Sequence, residues 1–422
     1  MNNFIEVTKR LLRKNRKPVL GIIFTIVIFL ILPILVFLKV VFRRTIVTCR
    51  INARYFGHLG FNAAIASAHS SNKEFFVLAS FIQPVVNTKL KEAAENSLYM
   101  VNDQVLKLFE KVYYALPDVI NRIIVKFIRP IIDDRNELRE LSHFNKLARD
   151  EDDWKKAFWS SVNRSQGKQN TGILVALRTS DFHGNSATQM LESYRNMNPH
   201  EVACVLEAAL NNSQQIPVTF YGSRNLFERH IENSLTFHKV KFIDQARVDV
   251  LDLFPSAELI INNGNGIGSV AAVANARVLH IKHSPWQAWP TFHKMGLIFP
   301  ALYSSPETSS CSLEDLCKIA LNTATALPFD YHENFLSRYI ILKPINSNDT
   351  KIIASSIEEA LSSNNFEKMN EIHNGISFDY SSELERVFWR AYIDHMPEKL
   401  RSVHCDIRIK ISSSFLSNYF SA

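Results

Sequence analysis

The sequence predicts an α/β protein of more than one domain carried on a membrane segment, and three observations lead there. From Ile173 onwards short apolar runs alternate with helical patterns, which implies a parallel sheet with helices on both faces. The chain has 422 residues, more than one compact core usually holds, so two domains are expected. Leu20–Leu38 (LGIIFTIVIFLILPILVFL) carries no charge and as a helix would span about 28 Å, roughly one hydrocarbon core.

Along the chain, residues 1–44 read as a basic N-terminus and membrane anchor. Lys9, Arg10, Arg13, Lys14, Arg16 and Lys17 precede the apolar stretch, and Lys39, Arg43, Arg44, Arg50 and Arg54 follow it. Because both flanks are basic, the charge rule fixes no orientation by itself, and Pro33 admits a broken helix that re-emerges on the same side. The expected location is the inner (cytoplasmic) membrane, with the globular part facing the cytoplasm. A cleaved signal peptide is disfavoured by the length of the stretch and the lack of a small-residue cleavage site after it. Five cysteines, odd in number and without C-x-x-C spacing, fit a reducing compartment. The net charge of +7 owes much of its excess to the first 54 residues, so basic stripes for nucleic acid are not expected in the folded part.

Residues 45–168 read as an α/β domain that becomes helix-rich. Thr45 to Ile51 is a strand, Asn52 to Gly60 a loop, Phe61 to Ser67 a helix start and Phe75 to Phe81 a second strand. From Asn87 to Leu147 the apolar spacing is mostly helical. The run RDEDDWKK followed by NRSQGKQ places a linker near Lys168. Residues 169–380 carry the alternation, with strands at Ile173 to Leu177, Pro217 to Tyr221, Val240 to Ile243, Glu258 to Ile261 and Val278 to Ile281. Helices are expected at Pro199 to Asn211, Ile267 to Asn275, Leu313 to Ala324 and Ser355 to Ser362. Residues 381–422 read as a C-terminal helix opening at Ser381 and an edge-strand tail from Ile407 to Phe415.

Three strand ends carry candidate chemistry, because ligands of parallel sheets bind outside the carboxyl ends of the strands. The first is YFGHLGFN, Tyr55 to Asn62. Its glycines, Gly57 among them, permit a turn that presents His58 as a base, or His58 simply caps its own helix. The second is ALRTSDFHGN, Ala176 to Asn185. There Arg178 can pair a diphosphate through two parallel hydrogen bonds, while Asp181 and His183 orient it or meet sugar hydroxyls; the alternative is an ordinary surface Arg–Asp pair. The third is NNGNGIGS, Asn262 to Ser269, between a β-branched run and a small-residue helix. Gly264, Gly266, Gly268 and Ser269 either cradle a phosphate at a helix N-terminus or only make a tight turn. Beyond it, His283 and Trp286 are candidates for sugar or base contacts, and Trp289 for stacking.

The glycine turn is close to the dinucleotide fingerprint G-x-G-x-x-G, yet where an acidic residue should hold the ribose the chain reads His283, Ser284, Pro285, Trp286. A nicotinamide dehydrogenase is therefore disfavoured. Asp133–Asp134 and Glu151-Asp152-Asp153 lie in helical or linker sequence and read as solvated faces, so no metal ligand and no cofactor is expected.

Taken together, CRINARYFGHLGFN, ILVALRTSDFH with SYRN downstream, and DLFPSAELIINNGNGIGSVAAVANARVLHIKHSPW resemble the bacterial glycosyltransferase family associated with exopolysaccharide and O-antigen synthesis. The likeness covers most of residues 45–305. It implies the GT-B architecture, two Rossmann-like domains facing across a cleft. The arginine loop resembles the one that holds nucleotide diphosphate in fucosyltransferase-like enzymes, which carries over to Arg178. The glycine–histidine turn resembles that of lipid-linked disaccharide transferases, which carries over to Gly57 and His58. NGNGIGS departs from the plain Ser–Gly pair of the family, so individual phosphate contacts do not carry over. The expectation is a membrane-anchored, metal-independent sugar transferase. Its donor is a nucleotide-diphosphate sugar and its acceptor a lipid-linked glycan or polysaccharide, with other assembly proteins as partners. The alternatives are a non-catalytic sugar-nucleotide-binding assembly protein and a GT-B-fold sugar-nucleotide epimerase.

Overall fold

The computed structural model describes residues 44–71, 74–115, 122, 124–132, 159, 171–179, 196–212, 216–227, 231, 239–283, 286, 289–304, 312–322, 341–362, 368–401 and 406–420. They fall into two compact units, the described residues up to 132 and those from 159 onwards. Leu20–Leu38 lies outside the described residues, and no helix among those described is long and apolar enough to cross a membrane.

The first unit is built on β1 (Thr45–Asn52), whose β-branched and apolar residues are buried from Val47 to Ile51. It is followed by α1 (Phe56–Ser71), β2 (Phe75–Ile82), α2 (Thr88–Ser97), β3 (Tyr99–Met100), α3 (Asp103–Ala115) and β4 (Ile128–Ile132). The strands pair in parallel in the order β3-β2-β1-β4. Small residues Ala63, Ala64, Ala66 and Ala68 fill the face of α1, and all are buried. Asn87 caps α2 by accepting the Leu90 N–H at 2.9 Å. Two expectations are corrected here. The expected loop from Asn52 to Gly60 is helical from Phe56, because burial of Leu59 and Gly60 outweighs the roughly 1 kcal/mol that a glycine costs a helix. The long helical pattern after Asn87 is broken by β3, which extends the sheet and packs Tyr99 on Phe76 with ring centroids 4.7 Å apart.

The second unit contains β5 (Gly172–Val175), α4 (Pro199–Asn212), β6 (Val218–Gly222), β7 (Lys241–Asp244), β8 (Ala257–Asn262), α5 (Gly266–Val273), β9 (Val278–His283) and β10 (Gly296–Pro300). There follow β11 (Tyr303–Ser304), α6 (Leu313–Asn322), β12 (Ile341–Leu342), α7 (Asp349–Ser362), β13 (Met369–His373) and β14 (Ile376–Tyr380). The last elements are α8 (Glu383–Asp394), β15 (Asp406–Ile407), β16 (Lys410–Ile411) and α9 (Ser413–Phe420). Seven strands form one all-parallel sheet in the order β16-β10-β9-β8-β5-β6-β7. The chain enters at β5, runs outwards through β6 to β7, then returns to the other side of β5 at β8 and runs outwards again. α4 packs on β6, and α5 packs on β8 and β9. The point where the order reverses lies between β5 and β8, which are hydrogen-bonded neighbours.

The C-terminal segment is part of this unit. β16 forms an edge of the main sheet against β10, and α8 buries Phe388, Trp389 and Tyr392. The tail expected to be a strand through Phe415 turns into α9 instead, started by Ser412, whose hydroxyl accepts the Phe415 N–H at 3.2 Å. A hairpin that the sequence analysis passes over joins β13 to β14 through Asn374 and Gly375, at φ 49° and 79°. That is the Asn-Gly turn whose twist matches paired strands.

Candidate functional site

The carboxyl ends of β5 and β8 are fastened to each other by asparagines. Asn263 accepts the Arg178 N–H through Oδ1 at 2.6 Å and returns Nδ2 to the Arg178 carbonyl at 3.1 Å. Asn265 donates Nδ2 to the Ala176 carbonyl at 2.7 Å, and its Oδ1 caps α5 by accepting the Gly268 N–H at 3.1 Å. Asn262 accepts the Gly264 N–H at 2.8 Å. All three asparagines are buried. A buried amide must have its groups satisfied, and here that need ties the two loops together at the reversal point of the sheet.

The glycines have separate tasks. Gly264 has φ +74°, and a Cβ there would lie 2.2 Å from Cδ2 of His283. A Cβ on Gly268 would lie 2.2 Å from Oδ1 of Asn262, so α5 approaches the end of β8 only because that position is bare. Their N–H groups donate to the side-chain oxygens of Asn262 and Asn265. The first-turn amides of Gly266 and Ile267 stand outside the intrahelical ladder, at the positive end of the helix. Ser269 is exposed on the next turn.

Arg178 follows β5 and is 4% exposed. Its Nε donates to Oδ1 of Asn196 at 2.9 Å, and its carbonyl accepts the Met197 N–H at 2.9 Å. Thr179 pairs with Met197 as a parallel bridge. The segment 196–198 then enters α4 through a capping box. Asn198 Oδ1 accepts the Glu201 N–H and Glu201 Oε2 accepts the Asn198 N–H, each at 2.9 Å, with Pro199 at the first helical position. Glu201 is 1% exposed and its Oε1 takes the Ile345 N–H at 3.1 Å and an ion pair from Lys282. Lys282, near the end of β9, has φ 50°, a left-handed backbone rare for a lysine. Asn196, Glu201 and Lys282 were not singled out from the sequence. The pattern N-P-H-E before an apolar run is a readable capping signal for the first two turns of α4, but nothing local in the sequence pairs Glu201 with Lys282.

Several expected contacts are corrected. Trp286 and Trp289 are fully buried; they donate to the carbonyls of Ala301 and His283 at 3.2 and 3.0 Å and pack on Phe388 and Tyr392. They are core residues rather than stacking platforms. His283 is also buried, with its ring 5.3 Å from that of His280, which in turn meets His293 edge-on at 5.9 Å. Burial, together with His283 and His293, holds His280 well below the usual imidazole range. Asn62 is fully buried in α1, and its Oδ1 accepts the Asn52 N–H at 3.1 Å. Gly57 and His58 lie in the first turn of α1, half-buried, with the His58 ring 5.8 Å from that of Tyr55. Asp181, His183 and Arg195 lie outside the described residues, as do the acidic pairs at 133–134 and 151–153. Among the described residues no group of three His, Cys, Asp or Glu side chains is placed to hold a metal ion.

No protein-family model matches the chain, and no curated protein matches it. Among solved structures, the ADP-heptose LPS heptosyltransferase II of E. coli aligns at 11% identity and TM-score 0.36, over 60% of this chain and 90% of that one. A glycosyl transferase family 9 protein of Veillonella parvula aligns at 10% and 0.36, over 61% and 86%. HepE of Anabaena, solved with UDP and glucose, aligns at 13% and 0.30, over 76% and 100%. Likeness at these TM-scores decides neither fold nor activity, and the functional argument rests on the site.

Proposed function

We propose that the second unit binds a nucleotide-diphosphate sugar where its sheet order reverses, and that the chain transfers the sugar to a lipid-linked or polysaccharide acceptor at a membrane. The observation that carries this reading is the pair of loops fastened across β5 and β8, with Arg178 on one and the N-terminus of α5 on the other. In open parallel sheets the crevice at such a reversal is where ligands bind. A guanidinium sheltered from water gains most from an anion, and helix first-turn amides add fixed partial positive charge. In this reading Arg178 with the Gly266 and Ile267 amides stabilises the departing diphosphate, and no metal is needed for that charge. Gly264, Gly268 and Asn265 shape the turn. His58, or Asp181, takes the proton of the acceptor hydroxyl. β9 ends in Lys282 and His283, where the sequence of a dinucleotide-binding enzyme carries an acidic residue for its ribose.

Leu20–Leu38 would hold the protein beside a bilayer-bound acceptor, with the folded part on the cytoplasmic side and surface polysaccharide as the product. The test is full-length protein in membranes, supplied with a panel of nucleotide sugars and lipid-linked acceptors, with nucleoside diphosphate release as the readout. Release that depends on acceptor and is lost in Arg178→Ala supports the reading. Donor binding without release identifies a non-catalytic sugar-nucleotide-binding protein. Unchanged release in Arg178→Ala removes Arg178 from the site.

A further inference from the structure

Resting on the reading above, we infer that Glu201 is a positioning residue for the diphosphate site, acting on Arg178 through the start of α4. The contacts run without a gap. Lys282 pairs with Glu201. Glu201 closes the capping box with Asn198, both bonds at 2.9 Å. Asn198 continues into Met197 and Asn196, which hold the Arg178 carbonyl at 2.9 Å and its Nε at 2.9 Å. On the other side Arg178 is clamped by Asn263, whose neighbour Gly264 lies against His283, the residue after Lys282. The ring therefore closes on itself: end of β5, start of α4, end of β9, turn after β8.

A capping box alone needs only one oxygen of Glu201. The second oxygen, Oε1, serves two further segments, the Ile345 N–H at 3.1 Å and the Lys282 ammonium. A buried carboxylate at 1% exposure is costly unless its partners are in place, so the position of Glu201 is fixed from three directions at once. That fixity passes to Asn196 and sets where the guanidinium of Arg178 points. Lys282, which pairs with Glu201, also has a left-handed backbone at φ 50°, a local cost of the kind that the surrounding structure must over-determine.

The experiment is calorimetric titration of the full chain with UDP, ADP and the corresponding nucleosides, for Glu201→Ala, Arg178→Ala and the double variant. Glu201→Ala is expected to weaken nucleoside-diphosphate binding by roughly tenfold or more through misplacement of Arg178, while nucleoside binding changes little. In the Arg178→Ala background the same substitution should produce no further loss, because the residue through which it acts is gone. Glu201→Gln, which keeps an acceptor for the Asn198 N–H, serves where Glu201→Ala does not fold; it should lie between Glu201→Ala and the native protein. Additive losses in the two backgrounds, or equal losses of nucleoside and diphosphate, would reduce Glu201 to a purely structural residue and overturn the inference. If Arg178→Ala itself leaves diphosphate affinity unchanged, the donor-site reading fails first, and the two failures are told apart by that single variant.

Discussion

Two arginines, one in each unit, stand at the carboxyl end of a central strand and are held in opposite ways. Arg50, in β1, donates Nε and Nη2 to Asp103 at 2.8 and 3.1 Å and Nη1 to Glu110 at 3.0 Å, and Ser80 adds a hydroxyl to the same Asp103 oxygen at 3.0 Å. Burial alone would lower the Arg50 pKa, yet the two carboxylates outweigh it and raise it; the Asp103 carboxyl, which burial alone would raise, is lowered by Arg50. Arg178, beyond β5, is fixed by the amides of Asn196 and Asn263. Around Arg50 two carboxylates hold the guanidinium itself, whereas Asn263 holds the Arg178 main chain and Asn196 its Nε. The first arrangement joins β1 to α3; the second joins the end of β5 to the turn after β8 and to the segment before α4.

The sharpest way to break this comparison is to remove each arginine in turn. Arg50→Ala leaves Asp103 and Glu110 facing one another without their cation, and the first unit should lose about 3 kcal/mol or more in denaturant unfolding. A loss below about 1 kcal/mol would mean that the network is solvated and contributes little. Acid should separate the units less. His69 in α1 is buried and held at about 4, below its ordinary 6.5, chiefly by burial. Above pH 6.5 it is neutral folded and unfolded; as pH falls from 6.5 towards 4 the unfolded chain takes up the proton first, so stability declines by about 3 kcal/mol in total. His280 acts in the same direction in the second unit. Unfolding measured between pH 8 and 4, with His69→Gln showing a flatter profile, checks this.

Arg178→Ala should lower kcat/KM for the donor by roughly a hundredfold, the size of losing one charged transition-state contact. Its melting temperature should fall less than that of Arg50→Ala. Asn263→Ala is the mildest of the set. It removes the clamp on the Arg178 main chain and should cost about 1 to 2 kcal/mol of stability, with a rise in donor KM in steady-state kinetics.

What the sequence reveals of this arrangement depends on how local its causes are. The alternation from β5 to β9 was legible because β5, β6, β8 and β9 carry buried apolar runs, and the helix expected from Pro199 to Asn211 matches α4 to within one residue. Ser382, whose hydroxyl accepts the Glu385 N–H at 3.2 Å, likewise announces α8. Short strands such as β3 and β16 have two residues each, too few for periodicity to register, and exist through pairing with β2 and β10. Trp286 looked like a ligand platform because a loop aromatic carries no mark of what will cover it; here that is α8, about a hundred residues downstream in the sequence. The bonds of Asn263 to Arg178 and of Asn265 to Ala176 join positions more than eighty residues apart and cannot be inferred from spacing.

Whether the crevice between β5 and β8 receives the donor diphosphate is read out by amide hydrogen exchange of the full chain with and without UDP or ADP. Diphosphate bound there should slow exchange at Ala176–Thr179 and at Asn262–Gly268 and leave the β1 strand around Arg50 unchanged. Slowing confined to the first unit, or none at either loop at saturating nucleotide, would contradict it.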